Sequence, residues 1–471
     1  MKYFYRNSNK DTIPKMEEWT KVNQRTFIII LLIQGITLAF FYYDSEIISF
    51  PLLKNFLLFI NLFFIPGFLI LKLIRFQASD YIDTFLFTFG TSISFLIILT
   101  LIISTILHII IPFSLTAQNF LIFYEICILI LILSIFFLEN FNKNQYFKKS
   151  NQNIFFLSYP ELKQKLKNLL PYCLLSWVMI ILSIFASKTG AFSDNTQLYI
   201  ALDLLITITI LFFGIKKSCT PIQYAIIIFG ISLSLLFQHS LLSDFVVGMD
   251  IQSELSYTIN IVQNGFWDIS INSQVNSSAG SLLLASLFSI LFKVNLQWTF
   301  KIIFPLILAF VPVILFQIYR DIFKEKIAFL SVIFFISFFS FYDLMISLPR
   351  QILAELFLCL ILLLIIKYKN KYVLSLFILI LLYSITMILS HYVLAFMFSI
   401  IFPIMFLLIR VFPFFNNFWK TSLIKNKHFP NTDFFSSLNI NKENFRFTPI
   451  FVIFCNYPDL FFFISATSPV R

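Results

Sequence analysis

Long apolar runs limit the fold of this chain more than any other feature of its sequence. Twelve of them are long enough, or nearly so, to cross the roughly 30 Å hydrocarbon core of a membrane as α-helices. They lie at about residues 26–43, 52–74, 84–111, 119–138, 169–187, 198–215, 221–237, 299–319, 327–344, 351–367, 372–390 and 392–412. No long stretch shows the two-residue alternation of membrane strands. The sequence therefore predicts an all-α integral membrane protein with about twelve transmembrane helices.

Composition agrees with a membrane protein and excludes several other classes. Only 12% of the 471 residues are charged, whereas a soluble domain carries about 25%. The net charge of +11 is explained by basic cytoplasmic loops and anionic lipid headgroups, so membrane lipid and not nucleic acid is the expected partner. The five cysteines show neither metal spacing nor a disulfide framework. No phosphate-binding glycine motif supports nucleotide chemistry.

Loop charge predicts the orientation of the spans. The tail that precedes the first run carries six basic residues between Lys2 and Arg25, so the N-terminus is expected in the cytoplasm of a plasma-membrane protein. Alternation along the chain then places the loop that begins at Lys72 on the inner side and the loop at 238–278 on the outer side. That loop is acidic, as an outer loop is expected to be.

A thirteenth apolar run at 279–292 is too short to cross the membrane comfortably. If it did cross, the three basic loops that begin near Arg320, Lys367 and Arg410 would all lie outside, against the positive-inside rule. Its serines suit a helix at the membrane surface. We therefore expect twelve spans plus one short interfacial juxtamembrane helix on the outer side.

Four regions follow from this reading. They are a cytoplasmic basic tail at 1–25, an N-terminal transmembrane module of unknown role at 26–220, a second transmembrane module at 221–412 that contains the acidic outer loop, and a basic tail at 413–471.

The acidic loop is the main candidate for chemistry. It holds Asp244, Asp250, Glu254 and Asp268 without any Lys or Arg. Asp250 and Glu254 are four residues apart, so on a helix they share a face and repel each other. A cation, a metal ion or a raised pKa would offset that repulsion. We interpret the pair as a general base and its partner, and the alternative is an ordinary solvated acidic loop.

A later outer turn, YDLMISLPRQILAE, supplies two more candidates. Asp343 is a possible third oxygen ligand beside Asp250 for Mg²⁺ or Mn²⁺. Arg350 follows Pro349 at a predicted helix start, where its planar fork and the helix N-terminus suit a lipid phosphate. The alternative for Arg350 is a membrane-surface anchor paired with a nearby carboxylate.

Three further residues are candidates for substrate binding. Lys301 is a second cation for phosphate, and His391 in the turn LSHYVL is suited to proton transfer or phosphate contact. Trp267 in NGFWDIS suits stacking on a sugar ring. For each, an ordinary structural role at the membrane boundary is the alternative.

The order of these features resembles that of polytopic glycosyltransferases of the GT-C fold. The resemblance covers roughly residues 50–410 and rests on the large acidic outer loop with GMDIQSE, the short helix at 279–292 and YDLMISLPRQILAE. The stretches NLFFIPGFLILKL, GMDIQSE and PRQILAELF are also similar to an uncharacterised family of archaeal membrane proteins. The resemblance implies a GT-C-like second half, with Asp250 at the catalytic acidic position, Asp343 at the second acidic motif and Arg350 at a lipid-phosphate position.

The resemblance departs from the family in two ways. Seven spans precede the acidic loop instead of one, and no soluble outer domain follows the last span, which suits a shortened chain. The function it implies is an inverting glycosyltransferase that moves a sugar from a polyprenyl-phosphate carrier to a glycan, lipid or protein acceptor on the outer face. The alternatives are a flippase or other transporter of lipid-linked saccharides, and an inactive membrane scaffold.

Overall fold

A computed structural model describes residues 24–42, 51–111, 113–143, 159–193, 196–216, 219–368, 373–401 and 404. All regular elements within these ranges are helices. They are α1 (Gln24–Tyr42), α2 (Pro51–Leu73), α3 (Tyr81–Thr105), α4 (Ala117–Lys143), α5 (Tyr159–Ser193), α6 (Gln197–Ile215), α7 (Pro221–Ser240), α8 (Met249–Asn264), α9 (Gln274–Ser277), α10 (Ala279–Phe292), α11 (Leu296–Leu308), α12 (Phe310–Ile322), α13 (Glu325–Ile336), α14 (Phe339–Tyr342), α15 (Pro349–Tyr368), α16 (Val373–Ser390) and α17 (Tyr392–Ile401). Two short 3₁₀ helices lie at Leu107–Ile109 and Leu344–Ser347.

The described residues contain eight helices that are long and apolar enough to cross a membrane, with α11 and α12 counted as one. The chain is therefore an all-α, multi-pass membrane protein by the length and composition of its helices. The predicted count of about twelve is not confirmed. Three of the predicted runs form shorter helices, Phe27–Phe41, Leu374–Ser390 and Tyr392–Ile401, and the run at 327–344 is bent by 70° between α13 and the segment Phe339–Ser347.

Close packing of small and aromatic residues holds the helices together. Gly67 on α2 lies so near α3 that a Cβ there would come within 2.0 Å of the Thr88 carbonyl oxygen. Phe63 on α2 stacks on Phe89 of α3 and on Phe288 of α10, with ring centroids 5.4 and 5.1 Å apart. In a membrane, where apolar side chains gain little by leaving lipid, such van der Waals contacts carry much of the association of helices.

A partly buried network of charges marks one end of the helical bundle, which we call the Asp80 end. Asp80 caps α3 by accepting a hydrogen bond from the Asp83 amide, and its carboxylate pairs with Arg320 on α12 and with Lys367 on α15. Lys367 and the Tyr368 hydroxyl both lie 2.5 Å from the Asp83 carboxylate. The loops that begin at Lys72, Arg320 and Lys367, which loop charge assigns to one side of the membrane, therefore lie at the same end.

The opposite end is defined by Arg350 at the start of α15. Arg350 and Lys367 are seventeen residues apart on one helix, a rise of about 26 Å. Lys301 on α11 and Arg320 on α12 are separated by a similar length of helix. Because Arg320 and Lys367 share Asp80, Lys301 lies at the Arg350 end of the bundle.

Helix α10, the run at 279–292, does not connect the two ends. Ser281 in its first turn lies beside Glu254 and the Arg350 end, and α11, which follows it, begins at that same end. Most of α10 is buried among the other helices, which the sequence did not predict, and its place at the membrane interface stays a prediction. Its serines do not need water, since Ser281 and Ser286 donate to helix carbonyl groups of Ser278 and Leu282.

The two predicted tails fall almost wholly outside the described residues, at 1–23 and 413–471. The division at residue 220 between two transmembrane modules stays a prediction.

Candidate functional site

A glycine brings the acidic loop against the Arg350 turn. Gly248 precedes α8 with φ 123° and ψ 150°, a conformation that is nearly restricted to glycine. A Cβ at this position would lie 2.4 Å from the Cβ of Ser347, in the 3₁₀ turn just before Pro349. The absence of a side chain at Gly248 therefore allows the first turn of α8 to approach the first turn of α15.

Both predicted carboxylates contact Arg350 across this junction. Arg350 Nη2 donates to Asp250 Oδ2 at 2.7 Å, and Arg350 Nε lies 3.8 Å from Glu254 Oε1. The Arg350 backbone N–H also donates to Glu254 Oε1 at 3.4 Å, so Glu254 satisfies part of the α15 N-terminus. The Asp250 side chain is 45% exposed and that of Glu254 is fully buried. One cation therefore holds a water-facing and a buried carboxylate.

Burial is the main influence on the pKa of Glu254. It raises the pKa of this carboxyl from 4.5 to about 7, although nearby Arg350 and Ser281 act in the opposite direction. A carboxyl with a pKa near 7 can both accept and release a proton at neutral pH.

Serines at the start of α10 complete the floor of the cluster. The Ser281 hydroxyl lies beside Glu254, and it donates to the carbonyl oxygen of Ser278. Three buried polar atoms here have no hydrogen-bond partner, namely Glu254 Oε2, Arg350 Nε and Ser278 Oγ. Buried polar groups are normally paired, so this place can accept a polar ligand. The sequence did not indicate that Ser278 and Ser281 belong to this site, because SSAGS is typical of a loop that leads into an apolar helix.

His391 lies at the edge of the same cluster. Its Nδ1 accepts a hydrogen bond from the Leu394 N–H at 3.1 Å, which caps α17 and leaves the proton on Nε2. Burial lowers its pKa to about 4, and the charge of Arg350 lowers it further while Asp250 opposes that effect. His391 is therefore neutral at physiological pH and lies near enough to Arg350 and Asp250 for both charges to act on it.

Four helix N-termini converge on this cluster. Asp250 lies in the first turn of α8, Ser281 in that of α10 and Arg350 in that of α15, and His391 caps α17. Close packing of Gly280 on α10 against Ser390 at the end of α16, where a Cβ would come within 2.7 Å of the serine hydroxyl, joins these two helices beside His391. Each N-terminus carries about half a positive charge, offset in part here by the C-terminus of α16. The cluster of Asp250, Glu254, Ser278, Ser281, Arg350 and His391, which we call the Arg350 cluster, therefore favours an anion.

The structure gives Asp343 a different partner from the one predicted. Its Oδ1 lies 3.2 Å from His239 Nδ1 at the C-terminus of α7, whereas Asp250 pairs with Arg350. Within the described ranges, no group of three or more His, Cys, Asp or Glu residues is arranged to hold a metal ion. The residues present at Asp250 therefore do not fit the predicted Mg²⁺ or Mn²⁺ site.

Two other predicted substrate residues contact different groups. Lys301 donates to the carbonyl oxygen of Ser243, and its ammonium lies over the Trp298 ring. The Trp267 indole N–H donates to Asn276 Oδ1 at 3.0 Å, and its backbone N–H donates to the Ser104 hydroxyl. These bonds give Trp267 a structural role in folding the loop, and its place at the membrane interface stays a prediction.

The buried carboxyl gives a first testable prediction. Between pH 4.5 and about 7 the native Glu254 holds a proton that the unfolded chain has released, so its contribution to stability falls as pH rises. We expect Glu254→Gln to remove this loss. At pH 8 the variant should be more stable than the parent by up to about 3 kcal/mol, at 1.36 kcal/mol per pKa unit, and at pH 4 the two should agree.

Unfolding of both proteins in detergent, followed from pH 4 to 9, measures this difference. Glu325→Gln serves as the control, because Glu325 is partly exposed at the start of α13. Its curve should run parallel to that of the parent. A parallel curve for Glu254→Gln as well would show that Glu254 keeps an ordinary pKa.

No protein-family model matches this chain, and no characterised protein or solved structure shows significant similarity to it. The fold and the site themselves define its class, a multi-pass helical membrane protein with a charged, anion-favouring cluster at one end of the bundle.

Proposed function

We propose that this protein is a glycosyltransferase that takes a sugar from a polyprenyl-phosphate carrier at the Arg350 cluster. The observation that carries the proposal is the pairing of one guanidinium with two unlike carboxylates where four helix N-termini meet. The guanidinium and the helix ends suit a phosphate, and the exposed carboxylate suits an incoming hydroxyl group. The finer topology, with twelve spans, a GT-C-like second half and the cluster on the outer face of the plasma membrane, is part of the same proposal.

The carrier phosphate binds Arg350 in this mechanism. The planar fork of arginine matches two phosphate oxygens, and the positive end of the α15 dipole lies beside it. Because Arg350 is held by Asp250 at 2.7 Å, the phosphate takes over the guanidinium and releases the Asp250 carboxylate. The unpartnered Nε of Arg350 is then free to bind a phosphate oxygen as well.

The released Asp250 acts as the general base. The acceptor hydroxyl attacks the anomeric carbon on the side opposite the carrier, and its proton passes to Asp250 as the new carbon–oxygen bond forms. The bond from the anomeric carbon to the phosphate oxygen breaks, and its electron pair leaves with the phosphate, whose charge Arg350 and the helix N-termini stabilise. The anomeric configuration is inverted. A glycan, a lipid or a protein hydroxyl fits the role of acceptor.

Glu254 positions Arg350 in this scheme. Its carboxyl is buried behind the guanidinium and binds the α15 N-terminus, so it stays in place when the phosphate arrives. A carboxyl that is partly protonated near pH 7 also repels the incoming phosphate less than a fully charged one would.

A transporter of lipid-linked saccharides is the second candidate. Discontinuous helices whose N-termini point at an anion are typical of transporter sites. The bundle has this feature where α16 and α17 meet at His391, and a 70° bend follows α13. A transporter would bind the same phosphate but would not need Asp250 as a base, so the two candidates differ in the consequence of losing that carboxylate.

Binding of polyprenyl phosphate to the purified protein tests the phosphate role. Arg350→Lys keeps the positive charge and removes the planar fork. We expect the affinity for polyprenyl phosphate to fall by about 1–3 kcal/mol, the size of a charged hydrogen bond. Uncharged polyprenol should bind to parent and variant equally.

Arg320→Lys is the matched control, since Arg320 pairs with Asp80 at the opposite end of the bundle. This variant should bind polyprenyl phosphate like the parent. Equal phosphate affinities in the parent and Arg350→Lys would contradict the carrier-binding role and leave Arg350 as a structural anchor.

A further inference from the structure

A second group of charges lies at the same end of the bundle, apart from the contacts of the Arg350 cluster. The ammonium groups of Lys188 on α5 and Lys301 on α11 lie 4.7 and 4.6 Å from the centroid of one indole ring, that of Trp298. Both therefore make cation–π contacts with the same ring. Two like charges held against one side chain repel each other unless anions accompany them.

The anions present are fewer than the cations. Asp244 pairs with Lys188 at 2.9 Å, and it is the only carboxylate that forms an ion pair with either lysine among the described residues. Lys301 is 2% exposed, and its ammonium donates to the Ser243 carbonyl oxygen. Two ammonium groups share one carboxylate, so the group has one positive charge in excess. A buried ammonium is costly to desolvate unless it is paired.

The position of the group indicates which anion fits. Lys188 lies near the C-terminus of the span Lys167–Thr189, and Trp298 and Lys301 lie near the start of the span Leu296–Ile322. Ends of spans lie at the level of lipid headgroups, where tryptophan and lysine are typical residues. The Lys188 and Asp244 side chains are 35% and 58% exposed, so the group is open on that side.

We propose that Lys188, Lys301 and Trp298 bind the phosphate of a membrane phospholipid, which supplies the second anion. The phosphate lies between the two ammonium groups on the side that Lys188 leaves open, and the acyl chains run along the apolar faces of α5 and α11. Trp298 holds both cations in place beneath it. This site is independent of the proposed sugar transfer, because it requires neither Asp250 nor Arg350.

Binding of phosphatidylglycerol to the full chain in detergent, counted by native mass spectrometry, tests the proposal. Lys301→Met and Lys188→Met should each weaken binding by about tenfold, the loss of one charge-assisted hydrogen bond. Diacylglycerol, which lacks the phosphate, should not bind at the site. Lys324→Met removes the same charge from an exposed position beyond α12 and should bind phosphatidylglycerol like the parent.

A variant that should bind the lipid more tightly distinguishes a ligand site from a purely structural ion pair. Asp244→Asn removes the carboxylate that competes for Lys188, so phosphatidylglycerol should bind several times more tightly. This variant also keeps the test valid if Lys301→Met does not fold, since Asp244 is largely exposed and an exposed pair contributes little to stability.

Inorganic phosphate distinguishes a lipid from a free anion. At concentrations equal to those of the lipid it should not displace phosphatidylglycerol, because it gains nothing from the neighbouring apolar surface. Equal lipid binding in the parent and both lysine variants, weaker binding in Asp244→Asn, or full displacement by inorganic phosphate would each overturn the lipid-phosphate site.

Discussion

Replacing Asp250 with Asn is expected to lower the rate of sugar transfer by about 100- to 10,000-fold, or about 3–5 kcal/mol of activation free energy. The asparagine cannot accept the acceptor's proton. Its amide oxygen can still accept the hydrogen bond that Arg350 donates at 2.7 Å, so the α8–α15 junction should persist. Binding of polyprenyl phosphate should therefore be retained or strengthened, since a competing negative charge is lost.

Transfer of a radiolabelled sugar by membranes from matched expression strains measures this effect. Asp268→Asn is the control, because Asp268 is a carboxylate of the same loop that bonds the hydroxyl of Ser270. Its transfer rate should equal that of the parent. Unchanged transfer in Asp250→Asn would remove the general base from the proposal. Movement of lipid-linked saccharide by the parent and by Asp250→Asn alike, with no sugar transfer by either protein, would favour the transporter.

Much of the fold could be predicted from the sequence, because apolar length and loop charge are local properties. Eight of the twelve predicted runs are helices long enough to span. The charge rule also predicted that the loops at Lys72, Arg320 and Lys367 lie on one side of the membrane. The ion pairs of Asp80 join those loops at one end of the bundle. The charge rule could not predict the position of α10, a helix that does not connect the two ends of the bundle. The serines of α10 suggested a surface helix, but their hydrogen bonds to nearby backbone carbonyl groups allow burial.

The candidate site was predicted in part for a similar reason. Asp250 and Glu254 are one helical turn apart, so their common face follows from spacing alone. The approach of Arg350 to that face depends on two loops 100 residues apart, and no local pattern encodes it. Asp343 shows the limit clearly, because its contact with His239 joins two segments far apart in the sequence, and no local pattern encodes that contact.

Gly248→Ala is expected to destabilise the protein by about 4 kcal/mol, the second large effect. A non-glycine residue at φ 123° and ψ 150° costs about 1–3 kcal/mol in backbone strain. The added Cβ also lies 2.4 Å from the Ser347 Cβ, and overpacking of this kind costs a further 1–3 kcal/mol or so. Because the clash separates α8 from the start of α15, the Asp250–Arg350 pair should weaken as well.

A double substitution separates the two contributions. Ser347→Gly removes the atom that the new methyl group meets, so Gly248→Ala combined with Ser347→Gly should recover the overpacking part and leave the backbone strain of about 1–3 kcal/mol. Thermal unfolding of the single and double variants in detergent completes the cycle, and Gly214→Ala on α6 is the control, since a Cβ there meets nothing closer than 3.7 Å. If the changes in unfolding free energy of the two substitutions simply added, Gly248 and Ser347 would not be in energetically important contact. Another contact would then have to align Asp250 with Arg350.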